Sequence, residues 1–333
     1  MFTEAIEKIL ADLCTPTRVR AVENGDGAMA LWRALEDGGF LQLLTPESQD
    51  GAGLSLAALF PVLLAFGRHA LPVPAAQSIA ARALMQGCAQ QPPAGMLTLA
   101  GSSHSDAEGG VCVPRLAYGM LAGHALVNRG GDLLLLDCSL ARREPVGVHA
   151  SQCATLYWPK DAVGTPLGSN GEAVRLFAAA IHAASMAGAM ERVLDMTLAY
   201  CNDRIQFGKA IGKFQAVQHQ LSVMAEQVAA SRMAAELAFA SDQAVPTLIP
   251  AAIAKARTRM AVPQVTATAH ALFGAIGVTE ELDLQLYTRR LHEWRVSEGS
   301  ETRWNGQVGQ ALLAQPNVTA SEFVRQITES TIA

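Results

Sequence analysis

The chain has 333 residues, of which 50% are apolar, 17% charged and only 5% aromatic, with a net charge of -5. It is too apolar to stay disordered and long enough to bury a large core; at about 150 residues per domain it predicts roughly two domains. Basic residues never run longer than the pairs Arg142-Arg143 and Arg289-Arg290. That argues against a phosphate-neutralising groove, and the scarce aromatics argue against a stacking platform, so no nucleic-acid partner is expected.

Six cysteines, at 14, 88, 112, 138, 153 and 201, form no C-x-x-C pair, and no histidines pair at metal-ligand spacing. No metal site is expected. Glu4, Glu7 and Asp12 interrupt the first dozen residues, which do not read as a signal peptide. No uninterrupted apolar run reaches about 18 residues, so no membrane span is expected and the cytoplasm is the expected location. The apolar content is rich in alanine, as at Ala178-Ala179-Ala180 and Ala229-Ala230, which predicts closely packed helices.

In chain order, a helix is expected over 28–35, ending at Gly38-Gly39, and a second over 54–66, with Gly67 as its C-cap. Leu71-Pro72-Val73-Pro74 forces an extended bend before a third helix over 75–86. From about 95 to 160, short apolar runs (Met96–Leu99, Gly110–Val113, Ala125–Val127, Asp132–Leu136) alternate with Gly, Pro and Ser clusters, as strands do. Helices return over 173–203, through the stripe Phe214, Val217, Leu221, Met224, Val228, over 248–273 and around 304–314. Ala184, Ala187 and Gly188 let a neighbouring helix approach closely. The layout is three-part: a helical segment 1–93, a small β segment 94–168 and a helical segment 169–333.

Three stretches carry motifs. The first holds Leu31-Trp32, Pro46-Glu47, Gly51-Ala52-Gly53, Gly67-Arg68 and Pro72-Val73-Pro74. The second is Arg204-Ile205-Gln206-Phe207-Gly208-Lys209-Ala210-Ile211, then Phe214-Gln215-Ala216-Val217-Gln218-His219. The third runs from Phe273-Gly274-Ala275-Ile276-Gly277 through Tyr287 and Arg289-Arg290 to Ser297-Glu298-Gly299-Ser300. In this order the chain resembles the acyl-CoA dehydrogenases. The resemblance implies a mostly α fold with a small central β domain: an N-terminal helical domain, a shortened β domain and a C-terminal four-helix bundle.

The resemblance also implies FAD as cofactor and oxidation of an acyl-CoA to the 2,3-enoyl-CoA. Arg204 would reach the pyrophosphate of a flavin held by a neighbouring subunit; a guanidinium suits this because it donates paired, charge-assisted hydrogen bonds. Gln206, Phe207 and Gln215 would lie along the same dinucleotide. Phe273, Gly274 and Gly277 would approach its ADP part, with Ser300 and Thr302 as further flavin contacts. The family's glutamine and second glycine in that loop are replaced here by Ala271 and Ala275.

Glu298 is the candidate base. Removing a proton beside a thioester requires a shielded carboxylate whose pKa burial has raised. In one branch of the family this base follows the second loop glycine by 23 residues and an arginine by nine, the separations of Glu298 from Ala275 and Arg289. The base position of the other branch falls near Ala178. A glutamate in a charged turn with Glu301 and Arg303 is the plain alternative.

The β segment lacks the family's flavin-ring motifs and offers only the polar loop Gly101–Gly110. This resembles the short subunits of heteromeric acyl-CoA dehydrogenases, in which two chains build one FAD site. It implies a second dehydrogenase-like subunit in an α2β2 assembly, or self-association, with electron-transfer flavoprotein as acceptor and lipid or steroid degradation as the setting. A non-catalytic subunit completing its partner's FAD site is the alternative to a catalytic one. Neither a G-x-S-x-G elbow nor a G-x-G-x-x-G turn occurs, which sets aside serine hydrolysis and a Rossmann domain.

Overall fold

A computed structural model describes residues 2–149, 151–162 and 164–332. The N-terminal part is built of α1 (Phe2–Leu13), α2 (Pro16–Glu23), α3 (Ala28–Asp37), α4 (Leu56–Arg68) and α5 (Ala75–Gly87). Local chemistry starts two of them. Thr15 accepts from Arg18 N ahead of Pro16 at the first turn of α2, and Ser55 accepts from Ala58 N at the start of α4.

The middle part carries β1 (Leu97–Ala100), β2 (His104–Ser105), β3 (Val111–Leu116), β4 (His124–Arg129), β5 (Asp132–Asp137), β6 (Arg142–Pro145), β7 (Ala154–Trp158) and β8 (Thr165–Pro166). They form two four-stranded sheets, ordered β1-β4-β5-β8 and β2-β3-β7-β6. β1 and β4 pair in parallel, Leu97 opposite His124, and the other pairs are antiparallel. Val113, Leu116, Ala125, Val127, Leu156 and Trp158 form the core between them. The Trp158 indole N–H donates to the Asp137 carbonyl at 2.7 Å, so this ring buries no orphan donor.

The C-terminal part consists of α6 (Gly171–Asp203), a hairpin of β9 (Ile205–Gln206) and β10 (Lys209–Ala210), α7 (Gln215–Leu237), α8 (Leu248–Phe273), α9 (Leu284–Val296), α10 (Glu301–Leu313) and α11 (Ala320–Ile332). Helix α6 is the axis of the molecule, packed by α4 on one side and by α7, α8 and α9 on others. Its close contact with α4 is written in glycines. A methyl group at Gly67 would meet the Ser185 carbonyl oxygen at 2.2 Å, and one at Gly188 the Leu64 oxygen at 2.0 Å. Gly67 therefore lies inside α4 as a packing residue and is not its C-cap, a correction to the sequence reading.

Other differences have equally local causes. β2, β6 and β8 escape the sequence reading because they are short or exposed, whereas the buried β7 and the helix α11 are simply not singled out by it. Two helical stretches, Gly171–Asp203 and Leu248–Val278, are long and apolar enough to cross a membrane by window-averaged hydropathy, although no uninterrupted run is. The apolar window of α6 is mostly buried inside the protein, as a core helix requires.

A charged cluster ties the three parts together. Glu23, at the end of α2, accepts from Arg290 at 2.8 Å and Arg289 at 3.1 Å, both on α9. Arg289 also donates to the His149 carbonyl, Glu293 accepts from Val148 N at 3.2 Å, and Gln152 donates to the Val22 carbonyl at 3.2 Å.

Candidate active site

The candidate residues fall into two groups. The first gathers at the C-terminal end of α6. Arg204 caps that helix in an extended conformation, and the β9–β10 hairpin projects beyond it on a Phe207-Gly208 turn with both residues at positive φ. Phe207 is 93% exposed, and among the described residues its ring meets Phe214 edge-on at 6.2 Å. The Arg204 side chain is exposed and has no partner among the described residues. Gln206 and Gln215 are exposed beside it.

Phe273 belongs to the same end. Its ring stacks on Tyr200 at 4.4 Å, one turn before Arg204, and its carbonyl accepts from the Tyr200 hydroxyl at 3.4 Å. Gly274 follows at φ 66, a conformation glycine adopts without strain, and Gly277 is buried, leaving no room for a larger residue beside Phe273.

The second group stands at the opposite end of α6. Glu298 holds φ 57, a left-handed conformation that costs a non-glycine residue about 1 kcal/mol or more. The Gly101 backbone N–H donates to its carboxylate, and a methyl group at Gly101 would meet Glu298 Oε2 at 2.4 Å and the Arg175 Cα at 3.0 Å. Burial pushes the Glu298 carboxyl up to about 7, opposed by the charge of Lys255, the Gly101 N–H and Arg175. Ser300 caps α10 by accepting from Arg303 N at 3.1 Å, and Thr302 is exposed on its first turn. Both therefore lie with Glu298 and not with Arg204.

Sequence reasoning missed four residues around this turn. Trp304, fully buried, donates its indole N–H to the Glu298 carbonyl at 2.8 Å, with the Arg175 guanidinium over its ring. Lys255 and His182 are buried behind it; burial and the Lys255 charge push the His182 imidazole down to about 3. One signal was present: Lys255 is the single charge in the apolar run Ala251–Ala256. Tyr118, also missed, sits at φ 55 with its hydroxyl on the Leu71 carbonyl at 3.1 Å.

Tyr118 and Trp294 separate two cavities of about 30 and 10 Å³ between the β domain and the helices. Each has room for only a few waters at most. The larger clefts, of about 540, 400 and 640 Å³, lie near residues 44–56, 86–92 and 241–250, and Glu298 lines none of these five cavities. Among the described residues no cluster of three or more His, Cys, Asp or Glu is arranged to hold a metal ion.

A flavin dinucleotide fits one group and not the other. At the Arg204 end a free guanidinium stands beside the N-terminus of the 23-residue α7, whose N-cap Phe214 makes no side-chain cap. Helix N–H groups and an arginine together suit a pyrophosphate. At the Glu298 end, Gly101 closes directly onto the turn and α6, so the β domain and bundle leave no slot for a ring system there.

Residues 177–313 match the model of the acyl-CoA dehydrogenase C-terminal domain. The chain is 29% identical over 298 residues to acyl-CoA dehydrogenase IpdE2 of Mycolicibacterium smegmatis, covering 88% of this chain and 91% of that protein. IpdE2 of Mycobacterium tuberculosis matches at 29% over 296 residues, 88% of this chain and 90% of that one. Among solved structures, a chain of the ChsE4-ChsE5 complex from Mycobacterium tuberculosis superposes with a TM-score of 0.82 at 22% identity, over 96% of this chain and 97% of that one. A chain of the Tcur3481-Tcur3483 steroid ACAD G363A variant superposes with a TM-score of 0.81 at 24% identity, over 95% and 98%.

Proposed function

We propose that this chain, which is similar to acyl-CoA dehydrogenases, works as one subunit of a flavin-dependent acyl-CoA dehydrogenase, completing the FAD site of a second dehydrogenase-like subunit. One observation carries this reading. The free Arg204 guanidinium lies at the far end of α6 from Glu298, roughly 40 Å away at 1.5 Å per residue. No single flavin within this chain meets both, so the Arg204 hairpin serves a site on another subunit.

Bound FAD supplies the hydride acceptor for α,β-dehydrogenation of the acyl thioester. This chain's contribution is binding. Arg204 would hold a phosphate oxygen pair, the α7 N-terminus would add backbone N–H donors, and Gln206 and Gln215 would flank the dinucleotide. The fold similarity to a protein described as a steroid ACAD supports a bulky acyl-CoA as the substrate of the assembled enzyme. The similarity to a chain of a two-protein complex supports a heteromer over self-association.

A second reading has its own support. The Glu298 carboxyl, raised to about 7 by burial, has the proton affinity of a general base at neutral pH. In that reading the chain removes the Cα proton of an acyl-CoA bound beside its own turn, which requires the Gly101 contact to open.

Visible absorbance of the chain alone and with its partner tests the first reading. Flavin bound only by the pair, and lost on Arg204→Ala, is the expected result. Flavin retained by the isolated chain, or by the R204A pair at full occupancy, contradicts it. Turnover of the pair carrying E298Q separates the two readings: it stays within a few-fold of wild type under the first, and falls at least about 100-fold under the second.

A further inference from the structure

Lys255 has no exposed surface and lies among Ala251, Ala252 and Ala254 on α8, all buried. Its ammonium donates to the Trp294 carbonyl at 2.6 Å and has no carboxylate at ion-pair distance among the described residues. An unpaired buried charge is expensive, and burial accordingly pulls the Lys255 ammonium down to about 7, against the opposing charge of Glu298; a methionine of similar length would fill the same space without that penalty. A lysine here calls for a reason outside packing.

The reason lies in the turn that follows α9. The last carbonyls of a helix have no intrahelical partner, and a cation there also meets the negative end of the helix dipole. Lys255 takes the Trp294 carbonyl. Arg259, one turn further along α8, takes the Gly299 carbonyl at 2.8 Å, and Trp304 takes the Glu298 carbonyl at 2.8 Å. Three donors from two helices thus grip three carbonyls within six residues, with Glu298 at φ 57 and Gly299 at φ 100 between them. A left-handed glutamate persists only where its surroundings over-determine it.

We propose that Lys255 is the positioning residue of Glu298, anchoring its turn through the Trp294 carbonyl and lending that turn positive charge in its protonated form. The assignment concerns the residue of the second reading above but does not require Glu298 to be catalytic. Other groups surround the turn: Arg175 and His182 from α6, Arg259 from α8, Arg295 from α9, Glu301 from α10 and Cys153 from the β domain. His182 donates Nδ1–H to the Ala178 carbonyl at 2.7 Å and stays neutral, so it does not replace the lysine charge. Arg175 is paired with Glu172 and Arg259 with Glu301, whereas Lys255 and Arg295 have no ion pair among the described residues, and only Lys255 is wholly buried.

The test titrates the Glu298 side-chain carboxyl by 13C NMR in the full chain, assigned by its loss in E298Q. In Lys255→Met the midpoint moves upward and the Trp304 indole N–H exchanges faster; Lys255→Arg, which keeps a charge and donors, returns both toward wild type. The reciprocal arm leaves position 255 untouched and serves if K255M does not fold: in E298Q the Lys255 Cε signal titrates at lower pH than in wild type. Midpoints that stay in place in either arm overturn the assignment. Turnover of K255M with the partner subunit reports separately on the base reading: a lower kcat at unchanged KM supports a catalytic Glu298. Unchanged turnover beside a shifted midpoint removes that reading and leaves the positioning role standing.

Discussion

Arg175, in the first turns of α6, and Arg204, the extended residue that caps its other end, are 29 residues apart, the first beside the Glu298 turn and the second at the opposite end of the helix. α6 is thus a spacer between two places where dehydrogenase chemistry can be supported. The same helix fixes the direction in which this chain offers its free arginine, which is outward, on a hairpin tipped by an exposed phenylalanine.

Arg204→Ala is expected to leave the fold intact, because the exposed side chain makes no hydrogen bond or ion pair among the described residues. It should weaken flavin binding by the assembled enzyme roughly 10- to 100-fold, the value of losing one charge-assisted contact of about 1.5–3 kcal/mol. Flavin titration of the R204A and R204K complexes checks this. Lysine should recover only part of the affinity, since it lacks the paired geometry.

Gly188→Ala is expected to be among the most damaging single-methyl additions. The new methyl would meet the Leu64 carbonyl oxygen at 2.0 Å, a backbone atom that moves only with the whole of α4. Overpacking of this kind costs about 1–3 kcal/mol or more, read as a lower denaturation midpoint. Gly306→Ala, on an open face, is the control and should be neutral or slightly stabilising.

Glu23→Gln should loosen the joint between α2 and α9. Its carboxylate holds Arg289 and Arg290, and all three side chains are largely out of solvent. Removing one member of a buried ion pair leaves uncompensated charge and costs about 3–5 kcal/mol. Thermal unfolding should show a lower midpoint with little salt dependence, in contrast to an exposed pair such as Arg325 with Glu329.

Glu298→Gln should flatten the pH dependence of stability on its acid side. Burial raises the folded-state carboxyl to about 7 from the ordinary 4.5. Its protonated form therefore favours the folded state, a contribution present below 4.5 and lost as pH rises to about 7. The wild type should lose stability relative to E298Q across that window and keep a constant difference above it. A difference that does not change with pH would place the carboxyl in water.

Much of the site was legible because its signals are local. The Arg204 to Ile211 stretch marks a hairpin between two helices by its Phe-Gly turn, and the spacing of Arg289 and Glu298 spans α9 and its closing turn. The alanines and Gly188 of α6 announced a close neighbour, and α4 is that neighbour. Gly67 misled for a physical reason: a glycine near a helix end and a glycine under a crossing helix look alike until the second helix is in place.

The sequence by itself determined the helix–β–helix order, the absence of the flavin-ring motifs from the β segment and the residues that carry the family likeness, since each depends on neighbours within a few turns of chain. Only the tertiary structure decided what those residues do to one another. It set Arg204 and Glu298 at opposite ends of α6, closed Gly101 onto the Glu298 carboxylate and placed Lys255 on the Trp294 carbonyl that leads into the same turn. Those relations join positions as far apart as 101, 255 and 298. Burial, which gives them their electrostatic strength, arises only when the β domain and three helices pack around one turn.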